Sequence, residues 1–469
     1  MNISTSRFVN ILVGICLLIL ALPVRPVEAQ STAAGPTYVV QPGDTLDQIA
    51  EKFGVSLEDL VSVNNIADAN LIAVGTSLVI PGLEGINGVL TAKNVQLGET
   101  LDTLLKSYKI SEDLFLRLNR VTSPSELYVG SSIIVPVANQ DSQIGYFASL
   151  AFDETLLELC AQKNISPWQL ILSNQADSEW DFLPSDHIFF ETKSPSDVQS
   201  IVSPLITSID LEPLPLIQGA TVEIKIDTPH EMTLSGSLNG FPLQFFPNGQ
   251  GQYVALQGIE AMATIGLAPL QINGRTPEGD TFSIDQMLLL ESGNFPKDPP
   301  LYVENDTIDP AITGPEDQQI RTVISPATAA RMWNSQWSPP LDDVSCIKSG
   351  YGNRRSFNGS EYIYFHSGID YGVCAPSLNI YAVAPGIVVF VGDLTVRGNA
   401  VIIDHGWGVY SAYYHQAATA VNVGDSVQQG QIIGTVGATG RVTGAHLHFE
   451  VWVNGVQVQP LDWLANTYP

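Results

Sequence analysis

The stretch Gly444-Ala445-His446-Leu447-His448-Phe449-Glu450-Val451 decides how the C-terminal part of the chain folds. Apolar Leu447, Phe449 and Val451 alternate with polar His446, His448 and Glu450, the period-two pattern of a β-strand. Alternation sets the polar residues on one face and the apolar residues in a core. Two imidazoles two residues apart on one face can converge on a single ion. Such a pair is also an ordinary feature of a solvated strand, so the spacing alone decides little. The distribution shifts the reading: of the seven histidines, five (His366, His405, His415, His446 and His448) fall in the last quarter of the chain. One of them opens a second metal-type spacing, His366-Ser367-Gly368-Ile369-Asp370.

Outward from that strand, the sequence from residue 349 is rich in glycine and in strand-like runs, at 380–384, 386–391, 400–404, 409–415, 432–436 and 447–453. Turns separate these runs at all-β spacing, so a compact antiparallel β-domain with a groove is expected. The residue types suit one chemistry. Hydrolysis of an unactivated amide needs a strong nucleophile at neutral pH, and zinc supplies it by lowering the pKa of bound water to about 7. Two imidazoles and one carboxylate leave a position open for that water. His366, Asp370 and one histidine of the pair provide such a set. The remaining histidines can serve as general base and as stabilisers of the developing oxyanion.

Further blocks lie between the two motifs, in order. They are Ala384-Pro385-Gly386-Ile387-Val388, Val401-Ile402-Ile403-Asp404-His405-Gly406, Tyr413-Tyr414-His415, Gly424-Asp425-Ser426-Val427, Gly430-Gln431-Ile432-Ile433-Gly434 and Gly437-Ala438-Thr439-Gly440. With His366–Asp370 and His446–Glu450 they resemble the M23 family of zinc peptidases, the lysostaphin and LytM group, over residues 349–464. The resemblance implies that His366, Asp370 and His448 bind zinc (Zn2+) and that His446 and His415 are catalytic without being ligands. His405 falls in the family's Asp-His-Gly turn, outside the site. Gln416 stands where the family usually has leucine, a change at the groove edge that removes no ligand. Arg354 and Arg355, upstream, are candidates to meet a substrate carboxylate, with solvated surface arginines as the alternative.

The N-terminal half is organised differently. Asp44-Thr45-Leu46, Glu99-Thr100-Leu101 and Glu154-Thr155-Leu156 recur every 55 residues, as do Asn64, Asn119 and Asn174. A fixed period over three units implies three copies of one supersecondary module. In the first, residues 37–41 read as a strand and Pro42-Gly43-Asp44 as a turn, with Asp44 or Thr45 capping a helix that Gly54 ends. Ser56 opens a second helix and residues 77–80 return as a strand, giving βααβ. Tyr38-Val39-Val40-Gln41-Pro42-Gly43-Asp44-Thr45-Leu46 and Asn64-Asn65 resemble the hallmark positions of the LysM domain. The resemblance implies binding of N-acetylglucosamine-containing glycans such as peptidoglycan. The expected boundaries are 37–82, 92–137 and 146–191. The third unit is degenerate, having Phe152-Asp153 in place of the Pro-Gly turn and no closing proline.

Residues 194–204 have a linker composition. From 205 to 292 short alternating runs, with Asn248-Gly249 and Pro277-Glu278-Gly279-Asp280 as turns, read as a β-sandwich of immunoglobulin type. Nothing in it carries chemistry, and its expected task is spacing or positioning. Residues 293–340 read as a linker with one short helix beginning at Pro315, ahead of Trp333 and Trp337. The peptidase-like domain is expected over 341–465. The fold class is therefore multidomain and mainly β.

Composition bounds the rest. A net charge of −28 opposes nucleic-acid partners and electrostatic attachment to anionic polymers. Arg7, the apolar run 8–22 and Val27-Glu28-Ala29 read as a signal peptide over 1–29, the run being short for a bilayer span. Cys16 follows Ile15, too large for a lipobox. No transmembrane segment is expected in the mature chain, and an extracytoplasmic, cell-envelope location is. In an oxidising compartment Cys346 and Cys374, flanking the His366 motif, can pair, worth roughly 3–4 kcal/mol by chain entropy. Cys160 sits in an apolar helical run and reads as core.

These readings together describe a secreted zinc endopeptidase acting on peptidoglycan peptide bonds and anchored by LysM modules. The alternative is a non-enzymatic wall-binding regulator of other hydrolases. The presence of all three ligand positions and both helper histidines argues against it.

Overall fold

The computed structural model describes residues 35–469, except 70, 84–85, 87, 122, 124–125, 138–144, 151–153, 184–185, 192–202 and 250. The expected signal peptide, most of the leader that follows it, most of the linker at 194–204 and the Phe152-Asp153 substitution lie outside the described residues. The chain divides into two compact units, residues up to 90 with 136–139, and 91–135 with 140–469.

The 55-residue period has a physical cause that recurs in each module. A threonine caps the first helix: Thr45 ahead of Leu46–Phe53, Thr100 ahead of Leu101–Tyr108 and Thr155 ahead of Leu156–Lys163, each as a reciprocal capping box. The helix then ends on a left-handed residue, Gly54 in the first module but Lys109 and Asn164 in the others. At the end of the second helix an asparagine side chain braces the return strand. Asn64 donates to the Leu60 and Val79 carbonyls, both at 2.8 Å, and accepts from the Val79 N–H at 2.7 Å. Asn119 makes the same three bonds with Phe115 and Ile134, and Asn174 with Leu170 and Phe189. One amide thus ties a helix end to a strand.

Asn64→Ala takes away the side-chain partner of the Val79 N–H and carbonyl, at about 1–3 kcal/mol per buried group, while the Leu60 carbonyl keeps the Asn64 backbone N–H. A module of about forty-five residues has little stability to spare. Amide exchange across residues 37–82 should therefore accelerate sharply while residues 205–465 stay protected. Unchanged protection would show that Asn64 does not brace the module.

Two antiparallel sheets follow. One has the order Phe241–Leu243, Thr233–Leu238, Gly266–Arg275, Thr281–Glu291, with Leu216–Ile217 added in parallel at its edge. The other runs Phe246–Pro247, Gln252–Gly258, Thr221–Asp227, Ser208–Glu212. The strand Gly266–Arg275 alternates buried and exposed residues, as a sheet with one covered face requires. Ile224, Ile226, Leu270 and Ile272 meet in the core between the sheets. Both expected hairpins form, with Phe246 opposite Val254 and Ile272 opposite Ile284.

The C-terminal domain is built on a ten-stranded sheet. Its main path runs Ile347–Ser349, Ile369–Gly372, His446–Val453, Val409–Thr419, Gly398–Gly406, Gly386–Leu394, Ser426–Val427. The opening stretch of sequence is thus the strand between the Asp370 strand and the His415 strand. Cys346 and Cys374 are joined by a disulfide that ties the edge strand to the Asp370 strand, and Cys160 is free and buried.

Both faces of the strand His446–Val453 are covered: only His446 is even partly exposed, and Glu450 is fully buried. Leu447, Phe449 and Val451 enter the main core, while Trp452, on the polar side, packs with Tyr410, Tyr414, Ile320 and Ile324. Two expectations about the preceding stretch need correction, and the first explains this burial. The stretch read as a linker with a helix from Pro315 holds a longer helix, Pro310–Val323, which covers that other face. Asp309 caps it by accepting from the Ala311 N–H, and Pro310 takes the first helical position. Pro315 lies inside the helix. It only forgoes a bond to the Ala311 carbonyl in the exposed first turns, so the first-turn preference of proline pointed to the wrong one of two prolines. Trp333 and Trp337 are buried in the main core beside Trp407 and Trp463 rather than leading into the domain from outside.

Candidate metal centre

Strand register brings the site together. Asp370 lies opposite His448 on one side, and Tyr414 lies opposite His448 on the other. His366 precedes the Asp370 strand and is 1% exposed. Its Nδ1–H donates to the Gly350 carbonyl at 2.8 Å, which leaves Nε2 with its lone pair. Across the site, His448 Nε2–H donates to Glu450 Oε1 at 3.1 Å, which leaves its Nδ1 bare. The two bare nitrogens stand 3.0 Å apart. Asp370 Oδ1 is 3.0 Å from the first and 2.8 Å from the second.

Three lone pairs facing one another repel unless a cation lies among them. Burial disfavours charge on His448, but its hydrogen bonds to Asp370 and Glu450 outweigh this and raise it to about 8. Burial lowers His366, whose ring stays neutral. Burial would raise Asp370, yet its hydrogen bonds to His366 and His448 hold it well below the ordinary carboxylate range. The donor set is two imidazoles and a carboxylate within 4.8 Å of one another, which fits a divalent zinc-type ion with an open position.

The other two histidines flank this cluster. His446 is half-buried, its Nδ1–H donates to the Gly444 carbonyl at 2.8 Å, and its Nε2 is 3.5 Å from Asp370 Oδ1. His415 Nδ1–H donates to the Thr439 carbonyl at 2.8 Å. Burial first, then the charge of His448, pushes His415 down to about 3, so the ring is neutral with Nε2 free to accept. The two rings are 4.8 Å apart between centroids. His405 is elsewhere, fully buried and bonded to Pro385 and Ser411.

His415 reaches the site by breaking the strand's rule. Tyr413 belongs to the main core and Tyr414 to the opposite face. Strict alternation would return His415 to the Tyr413 face. Instead the pairing slips between Asn399 opposite Gln416 and Val401 opposite Tyr413, a β-bulge. His415 takes φ +61°, left-handed for a non-glycine residue. Such a conformation costs on the order of 1–3 kcal/mol and re-aims the side chain.

Several functional partners escaped the sequence reading. Glu450 accepts from His448, Gln457 and Trp452 and fixes the His448 tautomer. Its position two residues beyond His448 on the same face was the available signal. The two arginines are corrected: neither is free for a substrate. Arg354 donates to the Ala261 carbonyl at 2.6 Å. Arg355 lies 3.4 Å from Asp370 Oδ2 and 3.3 Å from Asp298 Oδ2, holding the carboxylate of the candidate ligand in place. Nothing local in the sequence announces the Asp298–Arg355–Asp370 chain.

Comparison with known proteins places these residues in a family. Residues 364–460, which include all five site residues, match the family model of Peptidase family M23. Residues 38–81 and 94–136 match that of the LysM domain, and the third module lies outside both stretches. Peptidoglycan DD-endopeptidase ShyC of Vibrio cholerae serotype O1 is 39% identical over 121 residues, 26% of this chain and 28% of that protein. DD-carboxypeptidase/endopeptidase Mpg of Neisseria meningitidis serogroup B is 44% identical over 98 residues, 21% of this chain and 22% of that protein. Among solved structures, the catalytic domain of the antimicrobial peptidase lysostaphin from Staphylococcus simulans is 31% identical with a TM-score of 0.23, covering 26% of this chain and 92% of that one. The chain thus spans between a fifth and a third of the length of these curated relatives.

Proposed function

The chain carries a domain of peptidase family M23 and two LysM domains, and from that premise we propose that it is a zinc-dependent endopeptidase hydrolysing peptide bonds of peptidoglycan. Its LysM modules hold it on the glycan, and it works outside the cytoplasm in the cell envelope. The observation that carries the reading is the convergence of His366 Nε2, His448 Nδ1 and Asp370 Oδ1, with His415 and His446 beside them, each bonded through Nδ1 to a carbonyl.

His366, His448 and Asp370 would hold the zinc, which when bound supplies a water ionised near neutral pH and polarises the scissile carbonyl. The rest falls to the chain. His446 and His415 keep their protons on Nδ1 and present Nε2, so each can take a proton from the attacking water and return it to the departing amine. Glu450 and Gly350 fix the tautomers of the two ligand rings, and Arg355 fixes the carboxylate. The modules raise the local concentration of substrate without adding contacts at the site. Sugar recognition must supply that attraction, since a charge of −28 offers none to an anionic wall.

The test is digestion of purified sacculi by the full chain. The zinc-loaded protein should release fragments with severed peptides, lose this activity to a chelator and regain it with zinc. It should also sediment with sacculi when chelated, with little dependence on salt. Intact sacculi after incubation with the zinc-loaded protein would overturn the enzymatic reading, and failure to sediment would remove the anchor.

A further inference from the structure

The bulge that carries His415 is not held by its own strand alone. Its N–H donates to the Arg397 carbonyl at 2.9 Å, in the turn that joins the two preceding strands. That turn is in turn held from outside the sheet. Glu316, on the helix Pro310–Val323, is 6% exposed and its carboxylate is fully engaged there. Oε2 accepts from the Val396 N–H at 2.8 Å, and Oε1 accepts from the Arg397 N–H at 3.2 Å and from Arg397 Nη1 at 2.8 Å. The Arg397 guanidinium lies over the Tyr414 ring, 5.7 Å from its centroid, next to His415 in the chain. The strand that leaves the turn and the His415 ring also share an anchor. Asn399 N–H donates to Thr439 Oγ1, and the Thr439 carbonyl accepts the His415 ring proton.

We propose that Glu316 is the positioning residue for His415: by gripping the 396–397 backbone it holds the Arg397 carbonyl that keeps His415 in its left-handed bulge, facing the metal centre. The inference rests on the reading of His415 as a catalytic histidine and goes beyond it. Glu316 lies outside the residues that match the peptidase family, in the helix that covers the second face of the sheet. A carboxylate suits the task because it can accept from three N–H donors at once. A carboxamide of the same shape turns one acceptor into a donor aimed at an N–H. The site pays for the strained backbone with contacts from a neighbouring element, as strained functional residues generally require.

The test compares wild type, Glu316→Gln, His415→Ala and the double variant, as full chains. Glu316→Gln should keep its zinc content and KM and lose kcat on sacculi about tenfold to a hundredfold, the range for a displaced catalytic group. In the His415→Ala background the same change should have no further effect on kcat, because the residue through which it acts is gone. A purely structural role would cost the same in both backgrounds, and that result overturns the proposal. A second measurement does not depend on activity. In histidine-labelled, zinc-free protein, Glu316→Gln should shift the His415 ring signals and leave those of His405 in place. Unmoved His415 signals would also overturn the proposal. Inactive wild-type protein would sink the enzymatic reading, and the ring signals would still decide the role of Glu316.

Discussion

Replacing His448 with alanine should strip the protein of its metal, whereas replacing His446 should leave the metal and abolish turnover. Both residues lie on one face of one strand, two positions apart, and sequence spacing alone does not tell them apart. Their environments do. His448 is buried, its Nε2–H is committed to Glu450, and its bare Nδ1 joins His366 and Asp370 within 4.8 Å. His446 is half-buried, 3.5 Å from the nearest Asp370 oxygen, with its own Nδ1–H committed to Gly444. Loss of a ligand in His448→Ala or Asp370→Ala should lower zinc content and activity together. Loss of a proton-transfer group in His446→Ala or His415→Ala should lower kcat by a factor of about 10²–10⁴ at full zinc content. Metal analysis and sacculus digestion on the four variants decide. Zinc lost from His446→Ala but kept by His448→Ala would reverse the assignment, and wild-type activity in all four would end it.

Glu450 should prove nearly as important, although it touches neither metal nor substrate. It is fully buried, and burial alone would raise its pKa, yet its hydrogen bond to His448 brings it down to about 2. It therefore stands charged against the outer nitrogen of a ligand ring, and it also takes the Trp452 indole N–H at 2.8 Å. Glu450→Ala removes the group that fixes the ring's tautomer, which should weaken zinc binding about tenfold to a hundredfold. It also leaves the Trp452 donor buried without a partner and His448 Nε2 with only the longer contact to Ser367 Oγ at 3.4 Å, and breaking such a buried pair costs about 3–5 kcal/mol. Glu450→Gln should recover part of the stability but little of the metal affinity, since an amide oxygen carries no charge to match the ring. Competition titration for zinc and a denaturant midpoint measure the two effects separately. Wild-type affinity in both variants would show that something other than Glu450 orients His448.

The sequence made the local features legible. Alternation over 446–451 marked the central strand, the 55-residue recurrence marked the modules, and the two histidine motifs named the residues that meet at the site. Each rests on neighbours a few positions apart. What escaped depends on contacts between distant segments. Pro and Asp between residues 295 and 314 read as linker composition, yet Asp298 reaches Arg355 and the following helix carries Glu316 to Arg397. The same helix packs on the polar side of the central strand, and alternation gave no sign of it, because it separates two faces without saying what covers either. The bulge at His415 was hidden for a related reason: a residue that crosses to the other face leaves the sequence pattern of a strand unchanged.

The asparagine brace has one more consequence, for the order in which the molecule assembles. Asn64 bonds to a strand 15 residues ahead, and Asn119 and Asn174 do the same. The proposed metal ligands His366 and His448 are 82 residues apart, and Glu316 and Arg397 are 81 apart. Closing a loop of that length rather than the shorter one costs roughly 1.5 kcal/mol more in chain entropy. Low contact order speeds folding, and high contact order delays it. The modules can therefore close while the rest of the chain is still searching. The candidate metal centre waits on such distant pairings, so an ion would find its three proposed ligands only once most of the C-terminal domain has formed.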